Sequence, residues 1–387
     1  MAKANKTVAI LGATGSVGRQ AASVALLRGY RVDFISAGSD VEGLVELCDM
    51  LSPAAVAMAD VERAEELSLR LLGSGIRIYS GKEGILEGIQ NSRADVFVNS
   101  ILGEAGLMPT LEVLRLGKRL ALANKESLVI AGDIVMNTAA AHGAEIIPVD
   151  SEHSAIFQSL LSGKPSEIKR IILTASGGPF FGKSEEELSR VTIADTLAHP
   201  TWKMGKKITV DSATLMNKGF ELIEAVHLFG VTPSQVEVVI HRESILHSAI
   251  EYIDNAIIGQ LSVPDMRLAV QYAVDYPDRS RASVEPLDFF KLSRLTFAEP
   301  DYAAFRLLSL AKEAIADGGA MPAVMNAADE VAVAAFLDGK VGFTDISRAV
   351  IDTYREMSFA RDIRDLDGII SADREARARA ERIILAR

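Results

Sequence analysis

The stretch VAILGATGSVGRQ, Val8 to Gln20, runs from an apolar, β-branched segment into the spaced glycines Gly12, Gly15 and Gly18 and then into a segment with helical spacing. That order reads as buried strand, tight turn, helix. In such a unit Gly12 permits the turn, Gly15 lets the backbone approach a pyrophosphate, and Gly18 lets the helix lie close on the strand. The uncovered amides and the positive dipole end of the helix then face the phosphates. G-x-x-G-x-x-G is looser than the G-x-G-x-x-G fingerprint, so on its own it leaves open a glycine-rich turn without a ligand.

The pattern repeats. YRVDFISAGS, AAVAMA, GIRIYSG, ADVFVNS, RLALANKES and AEIIPVDSEH add short apolar runs, separated by amphipathic stretches such as VEGLVELCDML and VERAEELSLRLLG. Strand and helix alternating at this pitch predict an α/β fold with a doubly wound, mostly parallel sheet. Ligands of such sheets bind beyond the carboxyl ends of the strands, here residues 12–17, 36–40, 99–100, 124–126 and 150–152. The second strand ends in ISAGSD. With no carboxylate among residues 36–39 it leans toward a 2′-phosphorylated dinucleotide, although Asp40 follows at once and no lysine or arginine adjoins it in sequence.

Composition narrows the function classes. At 387 residues the chain exceeds one ordinary core, which predicts two or three domains. A net charge of −11 argues against a nucleic-acid groove, and no run is long and apolar enough for a bilayer. The lone Cys48 rules out an internal disulfide and suits a reducing cytoplasm, and the N-terminus does not read as a signal peptide.

The middle of the chain carries the chemistry. PVDSEH sets Asp150 and Glu152 two apart, on one side of the chain if the backbone is extended. Two hard oxygen donors can take Mg2+ or Mn2+, while an isolated D-x-E is more often a helix start. DSATLMNKGFELIEA adds Glu221 and Glu224 beside Asn217 and Lys218. LTASGGPF offers Ser176 with Gly177 and Gly178, donors suited to a phosphate monoester. Between them, AHPTWKMGKKITVDSAT holds His199, the single tryptophan Trp202, Met204 and Gly205. Pro200, Lys203, Lys206 and Lys207 are poor core company, which predicts a partly exposed lid.

GATGSVG, NKES, PVDSEHSAIFQ, LTASGGPF, AHPTWKMGKKITVDSATLMNKGFE, VPDMR and NAADEVAVAAFL, in this order, resemble the 1-deoxy-D-xylulose 5-phosphate reductoisomerase family over nearly the whole chain. The resemblance implies an NADPH-binding Rossmann-like domain (1–149), a central α+β catalytic and dimerisation domain (150–275), a linker (276–300) and a C-terminal helical domain (301–387). It implies a cytoplasmic homodimer. The implied reaction is the metal-dependent rearrangement and NADPH reduction of a sugar phosphate, 1-deoxy-D-xylulose 5-phosphate, to 2-C-methyl-D-erythritol 4-phosphate. By the same resemblance Asp150, Glu152 and Glu221 would be the metal ligands, with Glu224 a helix-surface or supporting carboxylate. Ser176, Ser212, Asn217 and Lys218 would hold the phosphate, and Ser151 and Lys125 the hydroxyl and carbonyl end. Thr14, Gly15, Ser16, Val17, Gly38, Ser39, Asn124, Glu126 and Gly205 would bind NADPH. His199, Trp202 and Met204 would form the flap, and Lys125, Glu152, His199 and Glu221 would be catalytic.

The chain departs from the family pattern at several points. Ser39 and Asp40 replace the usual lysine, arginine or asparagine, HRESILHS stands for HPQSIIHS, DNAIIGQL replaces a DGS before QL, and NAADE replaces NAANE. Arg242 and Glu243 are expected to bear on assembly more than on chemistry. His153 and His247 read as structural, and the terminal DREARARAERIILAR as a solvated helix face. A semialdehyde dehydrogenase would need a cysteine nucleophile in its second domain, and an epimerase a tyrosine four residues before a lysine; neither is present. A cofactor-sensing module that does no chemistry would leave the carboxylates unexplained.

Overall fold

The computed structural model describes residues 6–202 and 204–386; Lys203, expected in the lid, lies outside the described residues. The chain divides into two compact units, Met1–Ser127 with Val135–Ser154 and Asp265–Glu285, and Leu128–Ile134 with Ala155–Pro264 and Pro286–Arg387.

The first unit is built on β1 (Thr7–Leu11), β2 (Arg31–Ala37), β3 (Ala55–Met58), β4 (Arg77–Ser80), β5 (Val96–Asn99), β6 (Arg119–Leu122) and β7 (Ile146–Pro148). They form one sheet in the order β4-β3-β2-β1-β5-β6-β7, every pair parallel. Helices cover both faces of such a sheet, so its strands must be apolar along their length, and Val8, Ala9, Ile10 and Leu11 are all buried. The order reverses at β1, between β2 and β5, which sets a crevice beyond their carboxyl ends. Helices Val41–Leu51 and Val61–Arg70 start where Asp40 and Asp60 accept hydrogen bonds from Gly43 and Arg63 amides. The helix Met266–Asp275 also belongs here: Lys6 Nζ donates to Val274 O (2.6 Å) and Tyr30 Oη to Asp275 Oδ1 (2.6 Å).

The second unit holds a mixed sheet, order β11-β10-β8-β9, from β8 (Ile168–Ala175), β9 (Val236–Ile240), β10 (Leu246–Tyr252) and β11 (Ile257–Leu261). Helices Lys206–Thr214 and Met216–Phe229 carry the polar motifs, and a bundle follows from Arg306–Asp317, Met321–Leu337, Phe343–Glu356 and Leu366–Leu385. Its core is dense in small residues around Met321–Leu337, with Phe180 set edge-on to Phe343 at 5.0 Å between ring centres. Burying one such phenylalanine contributes about 2–3 kcal/mol. The terminal helix differs from expectation. Ile369, Ala372, Ala376, Ala380 and Ile384 are buried, because their four-residue spacing lays small side chains against Met321–Leu337; only the opposite face is solvated.

Candidate active site

In the first unit Gly12 has φ +76°, and a Cβ there would come within 2.9 Å of the Ser100 and Ile101 backbone. A Cβ on Gly18 would meet Gly12 O at 2.2 Å, so this glycine is what lets the helix Ser16–Arg28 sit on the turn. Gly15 caps that helix with extended backbone and no side-chain hydrogen bond, so Ser16 and Val17 present first-turn amides beside Thr14. Ser100 Oγ donates to Leu11 O (2.8 Å), tying the turn to the end of β5. Gly38 and Ser39 are exposed, and open space surrounds Gly38. Asp40 is occupied as the cap of its own helix. Arg19, which no spacing rule singled out, reaches across: its guanidinium lies 4.0 Å from Asp40 Oδ2, and its Nε donates to Thr14 O (3.2 Å). A cation therefore does stand at the end of β2, contrary to the reading from sequence neighbours.

Asn124 is buried and donates to Ile101 O (2.7 Å), Gly103 O (3.0 Å) and Glu126 Oε2 (3.0 Å), which fixes the loop after β6. Next to it the ammonium of Lys125, also buried, closes on the carboxylate of Asp150. The backbone here is not extended as the D-x-E argument assumed. β7 stops at Pro148 and a helix begins at Ser151, so Asp150 and Glu152 straddle a strand-to-helix junction. Ser151 Oγ donates to Glu152 Oε2 (2.5 Å).

The second unit gathers the phosphate-type donors. Ser176 follows β8, and Gly177 (φ +76°) and Gly178 (φ +61°) turn the chain so that a Cβ on Gly178 would strike Ser212 O at 2.5 Å. His199 Nε2 lies 3.2 Å from Ser176 Oγ and 3.1 Å from Ser212 Oγ. Its Nδ1 accepts from the amides of Thr201 (3.2 Å) and Trp202 (2.9 Å), which places the ring proton on Nε2. Burial, with Arg242 adding to it, lowers the His199 pKa to about 4, so the ring is neutral at pH 7. Trp202 is half-buried, 6.5 Å from the His247 ring, and Met204 and Gly205 lead into the helix Lys206–Thr214. On the next helix Glu221, 1% exposed, accepts from Asn217 Nδ2 (2.5 Å) and from the Lys218 ammonium. Glu224 is 1% exposed too, which removes the helix-surface alternative.

Two groups escaped sequence reasoning. Arg242 Nη1 donates to Ser176 O (3.0 Å) and Gly178 O (2.6 Å), so the HRES departure touches the phosphate-type loop directly. Asp329, the departure in NAADE, is fully buried with Lys207 between it and Asp211, at 3.0 and 2.7 Å. Burial, and for Asp211 also its like-charged neighbour, raises both carboxyl pKa values. His247, buried, meets Ser262 Oγ at 2.8 Å, and Cys48 is a buried thiol pushed up to about 12, both as expected of structural groups.

Comparison with known proteins is consistent along the whole chain. Family models described as 1-deoxy-D-xylulose 5-phosphate reductoisomerase match residues 8–132 and, for its C-terminal domains, residues 146–229 and 261–379. The reductoisomerase of Ruminiclostridium cellulolyticum is 45% identical over 98% of this chain and 100% of its own. That of Caldanaerobacter subterraneus subsp. tengcongensis is 48% identical over 97% and 99%. The Zymomonas mobilis enzyme in complex with NADPH superposes with a TM-score of 0.92 at 41% identity, covering 98% of this chain and 99% of that one. A DOX-P reductoisomerase bound to NADPH, fosmidomycin and magnesium gives 0.93 at 38%, covering 98% of each. Fold and sequence thus agree: the chain belongs to the 1-deoxy-D-xylulose 5-phosphate reductoisomerase family.

Proposed function

We propose that this chain converts 1-deoxy-D-xylulose 5-phosphate to 2-C-methyl-D-erythritol 4-phosphate, using NADPH and Mg2+ or Mn2+, in the supply of isoprenoid precursors by the non-mevalonate route. What carries the reading is a match over 98% of the chain to relatives that bear this name, among them structures bound to NADPH and magnesium. The helix start at Gly15, whose first amides no side chain caps, fits the dinucleotide. Thr14, Gly15, Ser16 and Val17 take the pyrophosphate, Gly38 and Ser39 the adenosine ribose, and Asn124, Glu126 and Gly205 the nicotinamide half.

Asp150, Glu152 and Glu221 are the assigned metal ligands, and carboxylate oxygens are the donors that Mg2+ and Mn2+ take. The ion supplies Lewis acidity toward the negative charge that builds on adjacent substrate oxygens during rearrangement. The chain's own groups do the rest. Lys125, paired with Asp150, lowers the cost of a buried carboxylate and leaves an ammonium for the carbonyl end, while Ser151 binds a substrate hydroxyl. Neutral His199 donates from Nε2, so the Ser176 and Ser212 hydroxyls can turn their own protons to the phosphate, joined by Asn217 and Lys218. Anchoring the phosphate converts binding energy into orientation of the reacting carbons. Trp202 covers the pocket and keeps water from the aldehyde that accepts hydride.

In functional terms residues 1–149 serve the cofactor, 150–275 catalysis and dimerisation, 276–300 connection, and 301–387 helical support. The homodimer reading is supported by β11, an edge strand that leaves Ile257 57% and Ile258 36% exposed, the kind of edge that a second chain covers. A lone, buried thiol suits the cytoplasm. The test is identification of the product: incubation with substrate, NADPH and Mg2+ should yield a branched methyl-tetritol phosphate by carbon-13 NMR. NADPH binding with no such product would instead favour a cofactor-sensing module.

A further inference from the structure

The donor-rich loop raises a question of charge. A phosphate monoester carries nearly two negative charges at pH 7, with a second pKa of about 6. Lys218 is buried and shared between Glu221 and the phosphate, so it answers at most one of those charges. His199 is neutral. Ser176, Ser212 and Asn217 bring none. Among the described residues of the second unit, the cation bonded to the 176–178 loop is Arg242. Its Nη1 spans the carbonyls of Ser176 and Gly178, and its guanidinium lies 5.4 Å over the Phe181 ring, which fixes its plane. Among the described residues its Nε and Nη2 make no hydrogen bond, leaving donors for a ligand. The adjacent Glu243 is turned away, accepting from Thr296 Oγ1 at 2.7 Å.

We infer that Arg242 is a phosphate-positioning residue: it holds the 176–178 loop by two carbonyls and supplies the positive charge a doubly ionised phosphate monoester meets there. This rests on the phosphate assignment above. Gly178 N donates to Ser176 Oγ (3.3 Å) while Arg242 holds the Ser176 and Gly178 carbonyls, so the guanidinium and the left-handed turn together fix the Ser176 hydroxyl. The depressed His199 pKa agrees, since the Arg242 charge already reaches that ring. A proline at this position, usual in the family, could do neither.

The single tryptophan, whose amide bonds to His199, reports on this pocket. Trp202 emission is titrated with glycerol 3-phosphate, a plain monoester, at pH 5.5 and pH 8, in wild type, Arg242→Lys and Arg242→Gln. Reduced-nicotinamide fluorescence, titrated alongside, checks that each variant still binds NADPH. His199 stays neutral across this range, and Lys218 with Glu221 and the raised carboxyls of Asp211 and Asp329 behind Ser212 are the same in every variant, so the difference between variants at the two pH values reads the ligand's second ionisation. Loss of one charged donor should weaken binding by about tenfold in Arg242→Gln at pH 8. The loss should shrink to about threefold at pH 5.5, where the ligand is mostly singly charged, and Arg242→Lys should recover most of it. Arg242→Gln binding as tightly as wild type at pH 8 overturns the inference; so does a loss equal at both pH values, which would mark a merely structural contact. If the wild type itself gives no saturable response while NADPH binds, the phosphate assignment falls, and this inference with it.

Discussion

Two glycine loops follow strand ends in this chain and leave different groups for a ligand. In the turn at 12–18 Gly12 adopts φ +76° and Gly18 admits the helix, the Ser36 and Ser100 hydroxyls bond the Gly12 backbone, and no side chain caps the first amides of the helix. The loop at 176–178 also carries left-handed glycines, yet side chains from distant segments, His199, Ser212 and Arg242, determine its surroundings. A pyrophosphate bridging a nucleotide can be met by amides and a helix dipole alone. A terminal dianion held for chemistry calls for a placed cation and hydroxyls. On the proposed assignment the first loop does work common to dinucleotide folds, and the second is where this chain's specificity would lie.

If the two loops serve separable tasks, substitutions should separate them. Glu221→Gln should lower kcat by about 10²- to 10³-fold while NADPH affinity stays within twofold, read by turnover and by nicotinamide fluorescence. Retained turnover would remove Glu221 from the ligand set. Gly18→Ala should do the converse, because its Cβ would lie 2.2 Å from Gly12 O. A destabilisation of ~1–3 kcal/mol and weaker NADPH binding are expected, with the Trp202 response to glycerol 3-phosphate kept. A variant that loses both responses would show that the loops are not independent.

The helix Lys206–Thr214, which carries Ser212, is backed by Asp211 and Asp329 sharing Lys207, and this sharpens the comparison through pH. Both carboxyls have folded pKa values above the unfolded one, so the folded state binds protons more tightly. Stability from that source is present at acid pH and lost as pH rises through the folded values. Asp329→Asn removes the second carboxylate and keeps the Lys207–Asp211 pair. Its thermal midpoint should rise by ~2–4 °C at pH 8, about 1 kcal/mol, and the gain should vanish near pH 4. A gain that persists at pH 4 would point to packing instead. The smallest effect is assigned to Arg19. Being 43% exposed, it should contribute about 1 kcal/mol or less to a 2′-phosphate, so Arg19→Ala should narrow the NADPH-over-NADH binding preference by about fivefold. No change in that ratio would leave Gly38 and Ser39 to discriminate alone.

What the sequence made legible was local. β1 at Thr7–Leu11 and the helix Val41–Leu51 fall where apolar spacing put them, because a strand buried on both faces and an amphipathic helix each write their pattern into consecutive residues. Of the two D-x-E alternatives the helix start holds and the extended pair does not, because the strand ends before Asp150 and the next helix begins at Ser151. For the terminal helix only a solvated face was read, because alanines spaced by four carry little hydrophobic signal for the buried one until a partner helix is known. Arg242 acts on atoms 64 and 66 residues away, and Arg19 links two successive loops, contacts that no periodicity encodes. Family resemblance supplied the candidate ligands but not these two arginines, since both lie where the family motif is either silent or different.

One measurement stands before the others: the initial rate of NADPH oxidation with 1-deoxy-D-xylulose 5-phosphate, by the purified chain stripped of metal and then supplied with Mg2+ or Mn2+. Oxidation that needs both the sugar phosphate and the divalent ion is the expected result. Oxidation that proceeds equally without the ion, or none at all from protein shown to bind NADPH, would contradict the assignment of the carboxylates and the reaction built on them.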